Sequence, residues 1–286
     1  MGLVEDDRVY LLRDRRYGSG LGFVRLLRDS LRKGVGLEKF IARLRDGSRW
    51  ISYGELERNV PGRPRLVIPI TPPEVWGAGV TYQRSREARE LETKAKGIYD
   101  LVYDAERPEI FFKATPSRCV GPYETAYIRS DTSWAVPEPE LALVLGPDHE
   151  IAGFTVGNDL SARDIEGENP LYLPQAKIYR GSCALGPAIT PRESIANPMN
   201  IEIKMRIFRR GVEVFTGSVN TSKMKRRLEE LVEYLVRDNV IPAGTVLLTG
   251  TGIVPPDDFT LRDGDVVEIE AEGIGVLRNP ISQYPR

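Results

Sequence analysis

Glu138 and Glu140 stand two residues apart in the stretch PEPELALVLG. Side chains alternate along an extended strand, so the two glutamates share one face while Leu141, Leu143 and Leu145 share the other. Two carboxylates on one face repel unless a positive charge lies between them, and a hard divalent cation with oxygen ligands supplies one. Taken alone, the spacing also describes a solvated strand edge. A third acid tips the balance. The next apolar run, IAGFTVGND, ends on Asp159, and the intervening GPDHE turn folds the two runs into a hairpin that brings Asp159 back beside Glu140. Three carboxylates leave coordination positions for water or substrate oxygens, which suits magnesium, with manganese or calcium as alternatives. Asp159 has a competing reading as the N-cap of a short helix in SARDIE.

Other groups could serve the same site. Lys113 ends the run IFFK, and Lys177 lies in PQAKIY, an apolar and aromatic setting that would depress the pKa of a buried lysine. The loop LLTGTGIVPP offers backbone N–H groups and the Thr249 and Thr251 hydroxyls to a carboxylate, without the GK[ST] of a P-loop. His149 is the sole histidine and sits in the GPDHE turn, so a histidine dyad, a triad or a multi-histidine zinc site has no support. Cys119 and Cys183 form no CxxC pair and read as buried small hydrophobes.

The elements that position these groups fall into two parts. Residues 1–68 read as a small N-terminal α/β domain: a strand at VYLL, a helix in FVRLLRDSLRKG closed by Gly34, and a helix in LEKFIARLRDG closed by Gly47. The proline-rich PGRPRLVIPITPPE leads into residues 69–286, a β-rich part with strands at Val75 to Val80 and Ile110 to Lys113 and a polar helical stretch from Arg84 to Lys96 between them. Short apolar runs bounded by Gly, Pro or Asp follow. One amphipathic helix interrupts them, with Thr221 or Ser222 as its cap and Met224, Leu228, Leu231, Val232 and Leu235 on its apolar face. The whole is an α+β chain.

Lys and Arg number 40 against 41 Asp and Glu, for a net charge of -1, so nothing favours nucleic acid or an anionic membrane as partner. No stretch reaches the roughly 20 apolar residues of a membrane span, and MGLVEDDRVYLLRDRR carries no apolar signal segment, which makes the cytoplasm the expected location. Charged residues make up 28% and Gln occurs only at positions 83, 175 and 283, a bias like that of a thermophile.

In their order, IFFKATPSRCVGP, PEPELALVLG, VGNDLSARDIE, QAKIYRGSCALGP, LLTGTG and LRDGDVVEIEAEGIG resemble the fumarylacetoacetate hydrolase family, over residues 77 to 280. The resemblance implies metal ligands at Glu138, Glu140 and Asp159 with Lys177 beside them. It also implies a mixed β-sandwich roll for the larger domain and a homo-oligomer, dimer or tetramer. Hydrolytic members carry a Tyr-x-x-His motif; here the stretch is TYQRSREARE, with Ser85 at the histidine's place. That stretch is similar to the sugar-acid dehydratase branch.

The implied activity is a hydro-lyase acting on a small-molecule 2-oxo sugar acid. A chelated cation would make the C3 protons of a 2-keto-3-deoxy pentonate acidic by stabilising the enolate, and loss of the C4 hydroxyl would lead to 2,5-dioxopentanoate. Glu109 and Lys177 are the candidates for proton transfer, Arg84 and Lys113 for balancing substrate charge, and Thr251 for holding a carboxylate or distal hydroxyl. A lysine Schiff base, an acylpyruvate hydrolase, a decarboxylase, a dehydratase for the C4 epimer and a non-catalytic sugar-acid binder are the alternatives.

Overall fold

The alternating run PELALVL forms a strand, Pro139–Leu145, in a computed structural model that describes residues 1–285 except Arg13, Ser19, Asp46, residues 94–96 and the side chain of Ile98. Every residue of this strand is buried. A strand with one solvated face would not be. Leu141, Leu143 and Leu145 pack in one core with Phe154 and Val156, while Ala142 and Val144, on the glutamate face, belong to a second core.

The strand lies at the centre of a seven-stranded sheet. Its order is Glu109–Ala114, Val75–Gly79, Val246–Leu248, Pro139–Leu145, Ile151–Asp159, Cys183–Pro191, Cys119–Val120. The two edge strands, Glu109–Ala114 and Cys119–Val120, are joined only by Thr115 and the tight turn Pro116–Arg118. So short a link cannot span a flat sheet whose neighbouring strands lie about 4.8 Å apart. The sheet therefore curls until its edges meet, with the glutamates on its inner face. Lys113 shows the closure directly: from one edge strand its ammonium reaches Asp159, four strands along, at 2.5 Å.

A five-stranded sheet, in the order Val212–Asn220, Glu202–Arg209, Asp265–Ala271, Gly275–Gln283, Ala126–Ile128, packs on the outer face through residues such as Ile203, Met205 and Ile269. The result is the expected α+β fold with a sandwich roll.

At the N-terminus, Gly2–Glu5, Arg8–Leu11 and Trp50–Ser52 form a three-stranded sheet. The helices Gly22–Arg32 and Leu37–Arg45 form where their apolar spacing predicts. Phe23, Val24, Leu26 and Phe40 share a core with Ala142, Val144, Val246 and Leu248 inside the roll. Phe23 and Val24 close on Gly153 and Gly244, at the opposite ends of the strands from Glu138 and Asp159. One end of the roll is thus plugged by apolar helices, and the other carries the acids.

Two helix boundaries differ from expectation. The amphipathic helix is Leu228–Val236 with Arg227 as its N-cap, because Glu230 reaches back to the Arg227 N–H; Thr221 instead opens a separate turn, Thr221–Lys223, and donates to the Pro198 carbonyl. The polar helix runs Gln83–Glu92, and the expected end at Lys96 lies outside the described residues. Among the described residues no helix is long and apolar enough to cross a membrane.

Candidate active site

In the hairpin, Glu140 is paired with Gly157, and the Asp159 N–H donates to the Glu138 carbonyl at 3.0 Å. Asp159 therefore returns beside Glu138, two residues along the chain from the expected neighbour, Glu140. The three carboxylates still converge: one oxygen from each lies within 4.8 Å of the others, and all three residues are buried. Asp159 caps no helix, since Arg163–Glu168 begins after Ala162. The expected convergence of the triad is present in the fold.

Burial pushes the Glu140 carboxyl well above its ordinary range, and Asp159 and Glu138 push it the same way. The backbone N–H of Gly250 and, less strongly, the charge of Lys177 oppose them. A cation among the three acids relieves that repulsion, and three hard oxygen donors at this spacing match a magnesium-type ion. The residues present fit such a group.

Two lysines flank the acids. Lys177 donates to Glu138 Oε2 at 2.8 Å, Asp159 Oδ2 at 3.0 Å and Ser161 Oγ at 2.6 Å. Burial pulls its pKa down, but Asp159, Glu138 and Glu166 together outweigh burial and hold the ammonium above its ordinary value. The lowered pKa expected from PQAKIY is thus reversed. The aromatic neighbour is there, with the Phe111 ring centroid 5.7 Å from Nζ, but the carboxylates decide. Lys113 is fully buried; besides Asp159 its ammonium meets the carbonyls of Leu160 at 3.1 Å and Lys177 at 2.5 Å.

A second charge cluster, absent from the sequence reading, adjoins the first at Glu138. Arg89 and Arg163 both donate to Glu138 Oε1, at 2.7 and 2.8 Å. Arg89 also pairs with Glu166, and Arg163 with Glu92 at 3.2 Å. Both arginines are buried. The only advance signal was the spacing Arg-x-x-Glu, present at Arg89/Glu92 and again at Arg163/Glu166, which ordinarily marks an exposed helical pair. Here each arginine takes a partner from the other helix, while Arg163 also keeps Glu166 at 3.8 Å.

Glu138, Asp159, Lys177, Arg89 and Glu166 wall a narrow cavity that also takes in Ser85, Tyr99, Glu109 and Thr251. Gly79 faces Glu109 so closely that a Cβ would strike its carboxylate, and the next residue, Val80, holds φ 52, an outlying value for a β-branched side chain. The backbone turns sharply there, into Thr81, whose hydroxyl donates to the Thr249 carbonyl at 2.7 Å. Burial pushes the Glu109 carboxyl up, helped by Glu166, and Arg89 and Lys177 pull it down less strongly. Among the described residues its side chain has no ion pair or hydrogen bond. Thr251 is buried on the cavity wall with its hydroxyl against the Ile253 backbone. Arg84 is exposed and lines a neighbouring cleft with Tyr103 and Lys223.

Residues 74–282 match the family described as fumarylacetoacetate (FAA) hydrolase C-terminal. The 2-dehydro-3-deoxy-D-arabinonate dehydratase of Saccharolobus solfataricus is 54% identical over 223 residues, 77% of this chain and 75% of that protein. A probable 2-keto-3-deoxyxylonate dehydratase of Haloferax volcanii is 50% identical over 215 residues, 75% of this chain and 74% of its own length. A solved structure of 2-keto-3-deoxy-D-arabinonate dehydratase, complexed with magnesium and 2,5-dioxopentanoate, superposes with a TM-score of 0.83 at 43% identity, covering 99% of this chain and 94% of the other. The order of motifs, the curled sheet and these likenesses agree, and the chain belongs to the fumarylacetoacetate hydrolase family.

Proposed function

We propose that this protein is a hydro-lyase that removes water from 2-keto-3-deoxy-D-arabinonate to give 2,5-dioxopentanoate, with magnesium held by Glu138, Glu140 and Asp159. The observation that carries the reading is the buried triad, with Glu138 and Asp159 lining a cavity that also holds one uncommitted carboxyl, Glu109, and a serine where the hydrolytic branch has histidine. The two dehydratase relatives support one substrate. With C2 a ketone and C3 unsubstituted, C4 is the sole stereocentre, so arabinonate and xylonate of the D series give the same 2-keto-3-deoxy acid.

When bound, a divalent cation supplies Lewis acidity to the carboxylate and ketone oxygens of a 2-oxo acid and so acidifies C3. The chain's own residues do the rest. Lys177 commits its three hydrogens to Glu138, Asp159 and Ser161, so it orients the ligands and fixes a positive charge in the wall. Lys113 holds Asp159 from the buried side. Glu109 takes the C3 proton and delivers it to the C4 hydroxyl, which leaves as water. Loss of a C5 proton and protonation at C3 then give the C4–C5 enol, which takes a proton at C4 and loses its hydroxyl proton to become the aldehyde. Ser85 and Thr251 offer hydroxyls to the distal end of the substrate, and Arg84 acts from the adjoining cleft on its charge.

Charge balance supports the arrangement. Glu92, Glu138, Glu140, Asp159 and Glu166 face Arg89, Lys113, Arg163 and Lys177, an excess of one negative charge. With Glu109 ionised as the base the excess is two negative charges, which a divalent cation neutralises.

Incubation with each C4 epimer in magnesium, followed by mass spectrometry, tests the assignment. Loss of one water from the D compound with formation of an aldehyde is expected; release of pyruvate or carbon dioxide, or binding without turnover, would overturn it. A homo-oligomer acting in the cytoplasm on pentose-derived acids is part of the proposal. The family likeness and the composition support it, and light scattering on the purified protein tests the assembly.

A further inference from the structure

Cys119 and Cys183 share no sequence motif, yet the fold sets them side by side. They are register partners in the parallel pairing of Cys119–Val120 with Cys183–Pro191. This pairing, only two residue pairs long, is the seam that attaches the last strand of the curled sheet. Register partners project from the same face of a sheet, and both cysteines pack in the same core, Cys183 fully buried and Cys119 partly exposed. The neighbouring Cys119 and burial push the Cys183 thiol well above its ordinary range. Neighbouring strands run about 4.8 Å apart, inside the Cα separation of roughly 4.4–6.8 Å that a disulfide spans. Their register therefore suits a disulfide.

The position matters to the site. Cys183 is also the register partner of Asp159 on its other side, and the chain that ends in Cys119 leaves the strand of Lys113 five residues earlier. A bond between the two sulfurs would close a loop that contains Glu138, Glu140, Asp159 and Lys177. It would lock the sheet where only two residue pairs now hold it.

We propose that Cys119 and Cys183 are a redox-modifiable pair, which a hydroperoxide converts to a disulfide that staples the seam of the roll. Cys119, the accessible member, attacks the peroxide: its sulfur gains oxygen as the O–O bond breaks, and one water or alcohol leaves. Cys183 sulfur then displaces the hydroxyl from Cys119 as a second water. In sum two thiols lose two electrons and two protons, and the peroxide is reduced. Because the bond restrains the unfolded chain over a long loop, it raises the melting temperature by roughly 5–10 °C.

The test treats the folded, magnesium-loaded, full-length protein with hydrogen peroxide and, separately, with the thiol oxidant diamide. Expected are a loss of two mass units, a non-reducible-by-denaturation peptide pair joined through Cys119 and Cys183 that dithiothreitol separates, and the rise in melting temperature. Cys119→Ser should abolish all three, and because this position is partly exposed the variant should fold; the wild-type mass shift stands on its own if it does not. Oxygen addition at Cys119 without a cross-link, a bond only between two copies of the chain, no reaction of the folded protein, or a cross-link without thermal gain would each overturn the proposal.

Discussion

Two buried charge clusters meet at Glu138, and they are built on different terms. On the arginine side, Arg89 and Arg163 face Glu92 and Glu166 in equal number, with planar guanidinium groups shared between two helices. On the lysine side, three carboxylates converge on one point with two ammonium groups around them. A balanced cluster can be satisfied by protein alone. One with an excess of converging oxygens invites a cation from outside, as the upward push on Glu140 shows. The first cluster should therefore matter for holding the fold and the second for chemistry.

Glu140→Gln should break the comparison most completely: magnesium binding measured by calorimetry and turnover should both vanish while circular dichroism shows an intact fold. Survival of turnover would mean that the convergence has no catalytic purpose. Glu109→Gln should lower kcat by about 100- to 10,000-fold and leave magnesium affinity unchanged. The pH profile gives the sign. Below its raised pKa Glu109 carries a proton and cannot accept another from C3, so kcat/KM of the wild type should climb with pH through a midpoint above the ordinary glutamate value of 4.5. A midpoint at or below that value would remove Glu109 from the role.

On the arginine side the expected effect is on stability. Arg163→Met leaves Glu92 and Glu138 short of a buried partner and should cost about 3–5 kcal/mol in urea unfolding. A loss under about 1 kcal/mol would make the two clusters alike. The smallest effect belongs to the exposed Arg84, where Arg84→Ala should shift unfolding by less than about 0.5 kcal/mol. A larger shift there would blur the line between buried and exposed arginines.

What the sequence made legible was local. Strand alternation placed Glu138 with Glu140, and a five-residue turn was enough to bring Asp159 back to them. The amphipathic faces of Gly22–Arg32 and Leu37–Arg45 could be read in the same way, but what those faces cover could not, because the inner wall of the roll is assembled from strands far apart in the chain. The reach of Lys113 to Asp159 depends on closure of the whole sheet. The sign of the Lys177 shift depends on acids contributed by three other segments, so its apolar neighbours in the chain pointed the wrong way. Arg89 and Arg163 were hidden behind a spacing that usually marks solvent-exposed pairs.

Dependence of dehydration on the cation tests the central claim most directly. With 2-keto-3-deoxy-D-arabinonate as substrate, aldehyde formation should stop when a chelator strips the protein and resume on adding magnesium, with Glu140→Gln refractory to rescue. Full turnover in excess chelator would contradict the account.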